Sequence, residues 1–177
     1  DSKGEKMSKT KGNVVDPLEV IEEAGADALR FTLLSLTAQG RDIKLSLDRV
    51  TGNRQFLNKL WNATRYVLMN VARLDRDVPR LAAVRDRLQI EDKWILDRLD
   101  KATAVATKAL EEYRFNEYAQ GCYRFLWNEY CDWYLELSKN TLYGDDDDQK
   151  AVTLAVLVHA LETSLRLLHP VIPFITE

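Results

Sequence analysis

Cysteine, glycine and proline are all scarce in this 177-residue sequence, and each scarcity excludes a class of structure. The two cysteines, Cys122 and Cys131, form no CxxC motif and have no histidine at zinc-ligand spacing, so neither a disulfide framework nor a metal site is expected. Both lie in an apolar, aromatic-rich stretch, which favours buried, reduced thiols and a cytoplasmic location. Seven glycines and four prolines are few for a many-turned β-sandwich and favour long helices.

Long apolar runs and targeting signals are also missing. No uninterrupted apolar run approaches the roughly 18 residues of a membrane span, so we expect no membrane partner. The lysine-rich N-terminus lacks the apolar stretch of a signal peptide. Because the chain begins at Asp1 without an initiator Met and ends on the apolar segment 169–177, we expect a piece of a larger protein. A mature, processed protein is the alternative.

Neither sign of charge dominates the whole chain, but one stretch is basic. The 25 basic and 28 acidic residues give a net charge of −3, which by itself does not suggest a nucleic-acid partner. Residues 54–87, however, carry eight basic side chains against three acidic ones, a local net charge of +5. Contact with a phosphate backbone requires such clusters, although a solvated helix face with ordinary ion pairs is the alternative. The candidate RNA-binding residues are Arg54, Lys59, Arg65, Arg73, Arg76 and Arg80.

The first 50 residues predict two short helices and a strand. Asp16, followed by Pro17, has the pattern of a helix start, and Gly25 marks the end of that helix. The segment 26–36 predicts a second, largely buried helix. Residues 42–48 alternate apolar and polar side chains, which predicts a strand that pairs with residues 12–15 or with a segment before Asp1.

From Asp48 onward the apolar spacing is helical. It predicts a helix of roughly 25 residues and three more at 91–112, 116–137 and 149–168, the last one capped by Asp148. Long helices with short connections indicate a mainly α protein, an antiparallel helical bundle at 51–177 preceded by a small α/β junction at 14–50. Most of the aromatic side chains in 113–134 should lie in the core.

The most specific local motif is Lys6-Met7-Ser8-Lys9-Thr10, within residues 1–13, which we call the KMSKT loop. Lysines on a glycine-flanked loop suit phosphate oxygens, because each ammonium is a compact charge that can follow charge developing in a transition state. The hydroxyls of Ser8 and Thr10 add hydrogen-bond donors. On composition alone, a solvated lysine-rich tail is the alternative.

The loop and several later segments resemble one enzyme family. KMSKT followed by KGNVVDP resembles the KMSKS signature of class I aminoacyl-tRNA synthetases, with Thr10 in place of the final serine. Residues 25–43 resemble the segment that follows this loop in the valyl, isoleucyl and leucyl branch. NRQFLNKLWNATRYVLMN (53–70) is most similar to the valyl branch, and 124–139 and 167–177 resemble the helical anticodon-binding domain of the same branch.

The resemblance implies a function and a set of site residues. In that family the loop closes over ATP and stabilises the pyrophosphate leaving group while the aminoacyl-adenylate forms. Matched by position, Lys6 and Lys9 would be catalytic, Lys9 the stronger candidate, and Lys6, Met7, Ser8, Lys9 and Thr10 would contact ATP. The implied parent is a monomer that uses ATP and Mg²⁺ to join valine to tRNA(Val).

Two further expectations follow from the resemblance. The HIGH signature, the other half of the family's ATP site, does not occur in the 177 residues, so we expect the chain alone to be inactive and to hold no cofactor. An isoleucyl-tRNA synthetase segment is a close alternative. A non-catalytic helical bundle that binds other proteins is an alternative of another class.

Overall fold

The computed structural model describes residues 5–37 and 43–177, and the side chain of Lys9 lies outside the described part. A π-helical segment, Phe125–Tyr134, joins α5 to α6 without a break, and we call residues 115–142 the aromatic helix. Short 3₁₀ turns occupy Lys9–Lys11, Leu81–Ala83 and Arg85–Arg87. The α-helices are α1 Pro17–Ala24, α2 Ala26–Leu36, α3 Leu47–Val71, α4 Ile90–Glu111, α5 Phe115–Arg124, α6 Leu135–Leu142, α7 Asp147–Leu168 and α8 Pro173–Thr176.

The first two helices begin and end where the sequence predicts. The Asp16 side chain accepts a hydrogen bond from Leu18 N at 2.8 Å, and Pro17 occupies the first helical position. Gly25 has φ 91°, a left-handed conformation that glycine adopts without a Cβ clash, and it separates α1 from α2. The prediction of a buried second helix over 26–36 is confirmed.

The predicted strand at 42–48 is wrong wherever the structure describes it. Residues 43–46 have no regular structure, Leu47 begins α3, and Asp42 lies outside the described residues. The alternation of apolar and polar residues predicts that Leu45 and Leu47 lie on the same buried face of a strand. In the structure Leu45 packs on the core, whereas Leu47 is exposed. The described part of the chain holds no strand to pair with, 12–15 included, so the junction is helical and only the bundle prediction is confirmed.

The aromatic helix and α7 run in opposite directions, and two buried tyrosines set their alignment. Tyr118 donates its hydroxyl hydrogen bond to the carbonyl of Leu167, and Tyr130 donates to the carbonyl of Leu157 at 3.0 Å. The tyrosine that comes later in the chain therefore meets the earlier residue of α7, as antiparallel helices require. The antiparallel contact agrees with the predicted bundle.

The π-helical segment explains how both tyrosines reach the same neighbour. At about 100° per residue, twelve residues of regular α-helix would turn Tyr130 about 120° away from Tyr118. A π turn contains one residue more than an α turn, so residues that follow it are rotated about 100° less around the helix axis than in a regular α-helix. Because the π-helical segment begins at Phe125, between the two tyrosines, it returns Tyr130 to the face that contacts α7.

The start of α7 differs from the prediction by two residues. Asp146, not Asp148, is the capping residue, since its carboxylate accepts the hydrogen bond from Gln149 N at 3.0 Å. Asp148 instead forms an ion pair with Arg76. In a run of four aspartates the composition alone cannot tell which one caps, because the choice depends on where the preceding helix ends.

By length and composition, α7 is the one helix in the described residues that could cross a membrane. Most of its apolar stretch is buried inside the bundle, where α7 packs against α3, α4 and α6. The burial accounts for the apolar composition, because the central helix of a bundle is apolar on most sides.

Two side chains of α2 hold the last described segment of the chain. Arg30 donates to the carbonyls of Val171 at 2.7 Å and Pro170 at 3.1 Å. One turn earlier, the buried carboxylate of Asp27 accepts from Ile175 N at 2.8 Å. The residues joined by these contacts are at least 140 positions apart in the sequence. The contacts attach α8 and the segment that follows α7 to α2.

A buried carboxylate links α4 to the aromatic helix. Asp92, 1% exposed, accepts hydrogen bonds from the hydroxyl of Tyr134 and from Gln89 N, the latter at 2.9 Å. Burial raises the pKa of Asp92 because the ionised form loses its hydration, while the bond from Tyr134 works in the opposite direction. The hydroxyl of Tyr134 therefore stabilises the ionised carboxylate within the core.

We predict that Tyr134→Phe lowers the free energy of unfolding by about 1–3 kcal/mol at neutral pH, because it leaves a buried carboxylate oxygen without its donor. The deficit should shrink as the pH falls, since protonation of Asp92 in both proteins removes the charge that the hydroxyl stabilises. Urea unfolding at neutral and mildly acidic pH measures both effects. Tyr113→Phe, at an exposed site, should change stability by less than about 0.5 kcal/mol, and an equal loss in both variants would contradict the assignment.

Candidate functional site

The described part of the KMSKT loop, residues 5–13, is closed by its own hydrogen bonds. Lys11 N donates to Ser8 O at 3.1 Å, forming a 3₁₀ turn, and the hydroxyls of Ser8 and Thr10 lie 2.6 Å apart. Gly12 follows with φ 66°, which reverses the chain. Asn13 then reaches back across the loop and accepts a hydrogen bond from Ser8 N at 2.9 Å.

The loop presents cationic and hydroxyl groups outward. Lys6, Met7 and Thr10 are exposed, and Ser8 is half-buried. Thr10, the position that departs from the KMSKS pattern, keeps the hydroxyl and uses it to pair with Ser8. Exposed ammonium and hydroxyl donors in one short loop suit phosphate oxygens. The catalytic role predicted for Lys9 concerns a side chain outside the described residues, and the role of Lys6 stays a prediction.

Half of the predicted RNA-binding side chains are engaged within the chain. Arg54 donates to the carbonyl of Glu23 at 2.9 Å near the end of α1. Arg76 donates to Asp147 O at 2.7 Å and to the carboxylate of Asp148 at 2.6 Å. These two arginines connect α1 to α3 and the loop after α3 to α7, so each contributes to the fold.

Lys59 has the most complete set of contacts among the basic candidates. Its ammonium forms an ion pair with Asp132 and lies 3.9 Å from the ring centroid of Trp127. Trp127 in turn stacks on Tyr123 at 5.5 Å with an interplanar angle of 15°. Lys59 therefore joins α3 to the aromatic helix, and its positive charge is already compensated by a carboxylate.

The remaining predicted residues, Arg65, Arg73 and Arg80, are exposed and form no ion pair within residues 5–37 and 43–177. Arg65 lies on the outer face of α3 between the exposed side chains of Trp61 and Leu68. Guanidinium groups without a carboxylate partner can bind phosphate, whereas Lys59 and Arg76 already pair with carboxylates.

A cavity near the start of α3, lined by both polar and apolar groups, adds a candidate that a count of charges along the chain does not include. The cavity measures about 400 Å³ and is bordered by Arg49, Asn53 and Tyr123 together with Thr32, Ser35, Leu36 and Gly52. Asn53 donates to the hydroxyl of Thr32 at 2.8 Å, and the Arg49 side chain is exposed. A guanidinium, an aromatic ring and a side-chain amide around one cavity are groups of the kind that bind unpaired RNA bases.

Arg49 is not among the RNA-binding residues predicted from the sequence, because it lies just before the basic stretch 54–87. The cavity brings side chains of α2 and α3, which are neighbours in the chain, together with Tyr123 of the aromatic helix, which lies 70 positions after Asn53. Only the helical spacing of Arg49 and Asn53, one turn apart on α3, could have indicated it.

Comparison with known proteins assigns the chain to a family. Residues 1–46 match tRNA synthetases class I (I, L, M and V), and residues 92–177 match the anticodon-binding domain of tRNA ligase. The whole chain is 56% identical to a segment of the valine–tRNA ligase of Syntrophotalea carbinolica and 53% identical to that of Geobacter sulfurreducens. The chain belongs to the class I tRNA synthetases.

The structural comparison agrees with this class I assignment. All of the chain superposes on the LeuRS of Agrobacterium radiobacter K84, solved as a ternary complex with tRNA and LeuAMS, with a TM-score of 0.74 and 28% identity. The chain spans about one fifth of the length of that protein and of the valine–tRNA ligases it matches. The resemblance inferred from the KMSKT loop and the later segments is therefore confirmed.

We predict that Lys59→Gln lowers the free energy of unfolding by about 1–2 kcal/mol, since it removes an ion pair and a cation–π contact at a partly buried site. Thermal or urea unfolding measures the loss. Arg65→Gln carries the same change of charge on the same helix without a partner, so it should stay within about 0.5 kcal/mol of the parent. Equal stability of both variants would show that the contacts of Lys59 are not stabilising.

Proposed function

We propose that this chain is the part of a valine–tRNA ligase that carries the phosphate-binding loop and the helical tRNA-binding bundle. The observation that carries the proposal is the sequence identity of 46–56% to valine–tRNA ligases over all 177 residues. Two features of the structure support it: a compact loop with outward lysine and hydroxyl groups, and a bundle with exposed, uncompensated arginines. We expect the protein in the cytoplasm, as a monomer.

The proposed reaction assigns the KMSKT loop to the leaving group. The carboxylate of valine attacks the α-phosphorus of ATP. The bond between the α-phosphorus and the oxygen that bridges to the β-phosphate breaks, so that valyl-adenylate forms and pyrophosphate leaves. Lys6 and Lys9, with Met7, Ser8 and Thr10 beside them, would hold the ATP phosphates and stabilise the charge that develops on pyrophosphate. Mg²⁺, which prefers oxygen ligands, would neutralise charge on the same phosphates.

The proposed RNA partner is tRNA(Val), which receives valine in the second step. Arg65, Arg73 and Arg80 would contact the phosphate backbone, and the cavity beside Arg49 would receive an unpaired base. Phosphate contacts position the nucleic acid, while the cavity supplies the stacking and hydrogen-bonding groups that distinguish bases. Arg54, Lys59 and Arg76 would contribute mainly by holding this surface in place.

In the full-length enzyme, valine should drive ATP–pyrophosphate exchange and isoleucine should not. Lys9→Ala should lower the exchange rate by about a hundredfold, the usual cost of removing one group that stabilises charge in the transition state. Its affinity for tRNA should be unchanged. Lys101→Ala, an exposed lysine of α4, serves as the control and should exchange normally. Preference for isoleucine would establish the alternative substrate, and normal exchange by Lys9→Ala would remove Lys9 from catalysis.

The chain itself should bind tRNA with an affinity that falls linearly in log K against log salt concentration. Each phosphate contact contributes about 0.7–0.9 to the magnitude of that slope, so Arg65→Gln, Arg73→Gln or Arg80→Gln should each reduce it by up to that amount. Arg166→Gln makes the same change of charge on α7 and should leave the slope unaltered. Absent or salt-independent binding would favour the alternative of a protein-interaction module.

A further inference from the structure

The side chain of Asn13 bridges two backbone positions of the KMSKT loop. Its Oδ1 accepts from Ser8 N at 2.9 Å, and its Nδ2 lies 3.4 Å from Lys6 O, at the long end of hydrogen-bonding distance. One planar amide therefore contacts the backbone on both sides of Met7. The bridge spans five positions from Ser8 and seven from Lys6, so it closes the loop from its far end.

Gly12 makes this bridge geometrically accessible. Its φ of 66° is a conformation that residues with a Cβ seldom adopt, and it turns the chain so that the next side chain points back across the loop. A Cβ built on Gly12 meets no atom within 4 Å. The glycine is therefore required by the backbone conformation and not by crowding.

The bridge determines what the loop can offer a ligand. Ser8 N–H is occupied by Asn13, so in this conformation the amide is not a phosphate donor. The carbonyl of Lys6 accepts the long hydrogen bond from the same side chain, which favours one orientation of the peptide plane between Lys6 and Met7. The direction in which the Lys6 side chain leaves the loop depends on the Lys6 backbone, and it is the carbonyl of that same residue that Asn13 contacts.

We propose that Asn13 is a positioning residue of the KMSKT loop: it holds the backbone of Lys6 and Ser8 so that Lys6 is preorganised to meet the phosphates of the bound nucleotide. The inference rests on the proposed function, since it assigns Asn13 a part in adenylate formation. Asn13 acts through the loop and does not itself contact the reacting atoms. Preorganised charge stabilises a transition state without reorganisation at the moment of reaction, so loss of the bridge should lower the rate of the chemical step.

The test uses the full-length enzyme and valine-dependent ATP–pyrophosphate exchange. Asn13→Ala should lower kcat about tenfold, while the KM for valine and the affinity for tRNA stay within about twofold of the parent, a factor of ten being about 1.4 kcal/mol in the barrier. Asn13→Asp keeps the acceptor for Ser8 N–H but loses the donor to Lys6 O and adds a negative charge to the loop, so it should not recover the rate. Asn140→Ala, at an exposed position of α6, is the matched control and should behave as the parent.

The possible outcomes separate the two proposals. If the parent enzyme shows no valine-dependent exchange, the proposed function fails and the role of Asn13 fails with it. If the parent exchanges normally and Asn13→Ala matches it, only the positioning role is overturned. A raised KM for valine with an unchanged kcat, or a loss of tRNA affinity in Asn13→Ala, would also overturn it, because neither follows from loss of the bridge. Thermal unfolding of each variant verifies that the fold is retained.

Discussion

The burial of three tyrosine hydroxyls on the aromatic helix is the constraint on which the bundle depends. Tyr118 and Tyr130 must each donate to a carbonyl of α7, and Tyr134 must reach the carboxylate of Asp92 on α4. A buried hydroxyl without a partner is costly, so the three bonds favour the alignment of these helices that the structure shows. The π-helical segment Phe125–Tyr134 satisfies them, because its extra residue brings Tyr118 and Tyr130 to the same face.

The packed helices support both the proposed phosphate-binding loop and the proposed RNA-binding surface. On one side, Asp27 and Arg30 of α2 hold the segment after α7, and α2 packs on α3 and α5, so the N-terminal helices belong to the same packed body as the bundle. The KMSKT loop leads directly into α1, which Arg54 joins to α3. The connection places the proposed phosphate-binding loop on the same body as the proposed RNA-binding surface.

Neither the net charge of the chain nor the charge of its basic stretch tells which basic side chains have carboxylate partners. The net charge of −3 conceals a basic stretch, and that stretch in turn contains arginines and a lysine with quite different roles. Arg76 and Lys59 have carboxylate partners from distant elements, whereas Arg65 and Arg80 have none within the described residues. A count of charges along the chain cannot separate these groups, because the partners come from residues 70 or more positions away.

The amino-acid sequence by itself determined the helices, the KMSKT loop and the family, because helix caps, apolar periodicity and short motifs are local properties. It also located Gly25 and Asp16 as helix ends correctly. Tertiary structure alone decided that residues 43–46 form no strand, that Asp146 caps α7, and that Arg49 shares a cavity with Tyr123. Each of these depends on which distant element packs nearby: a strand needs a partner, a cap needs a free helix end, and a cavity needs walls from several helices.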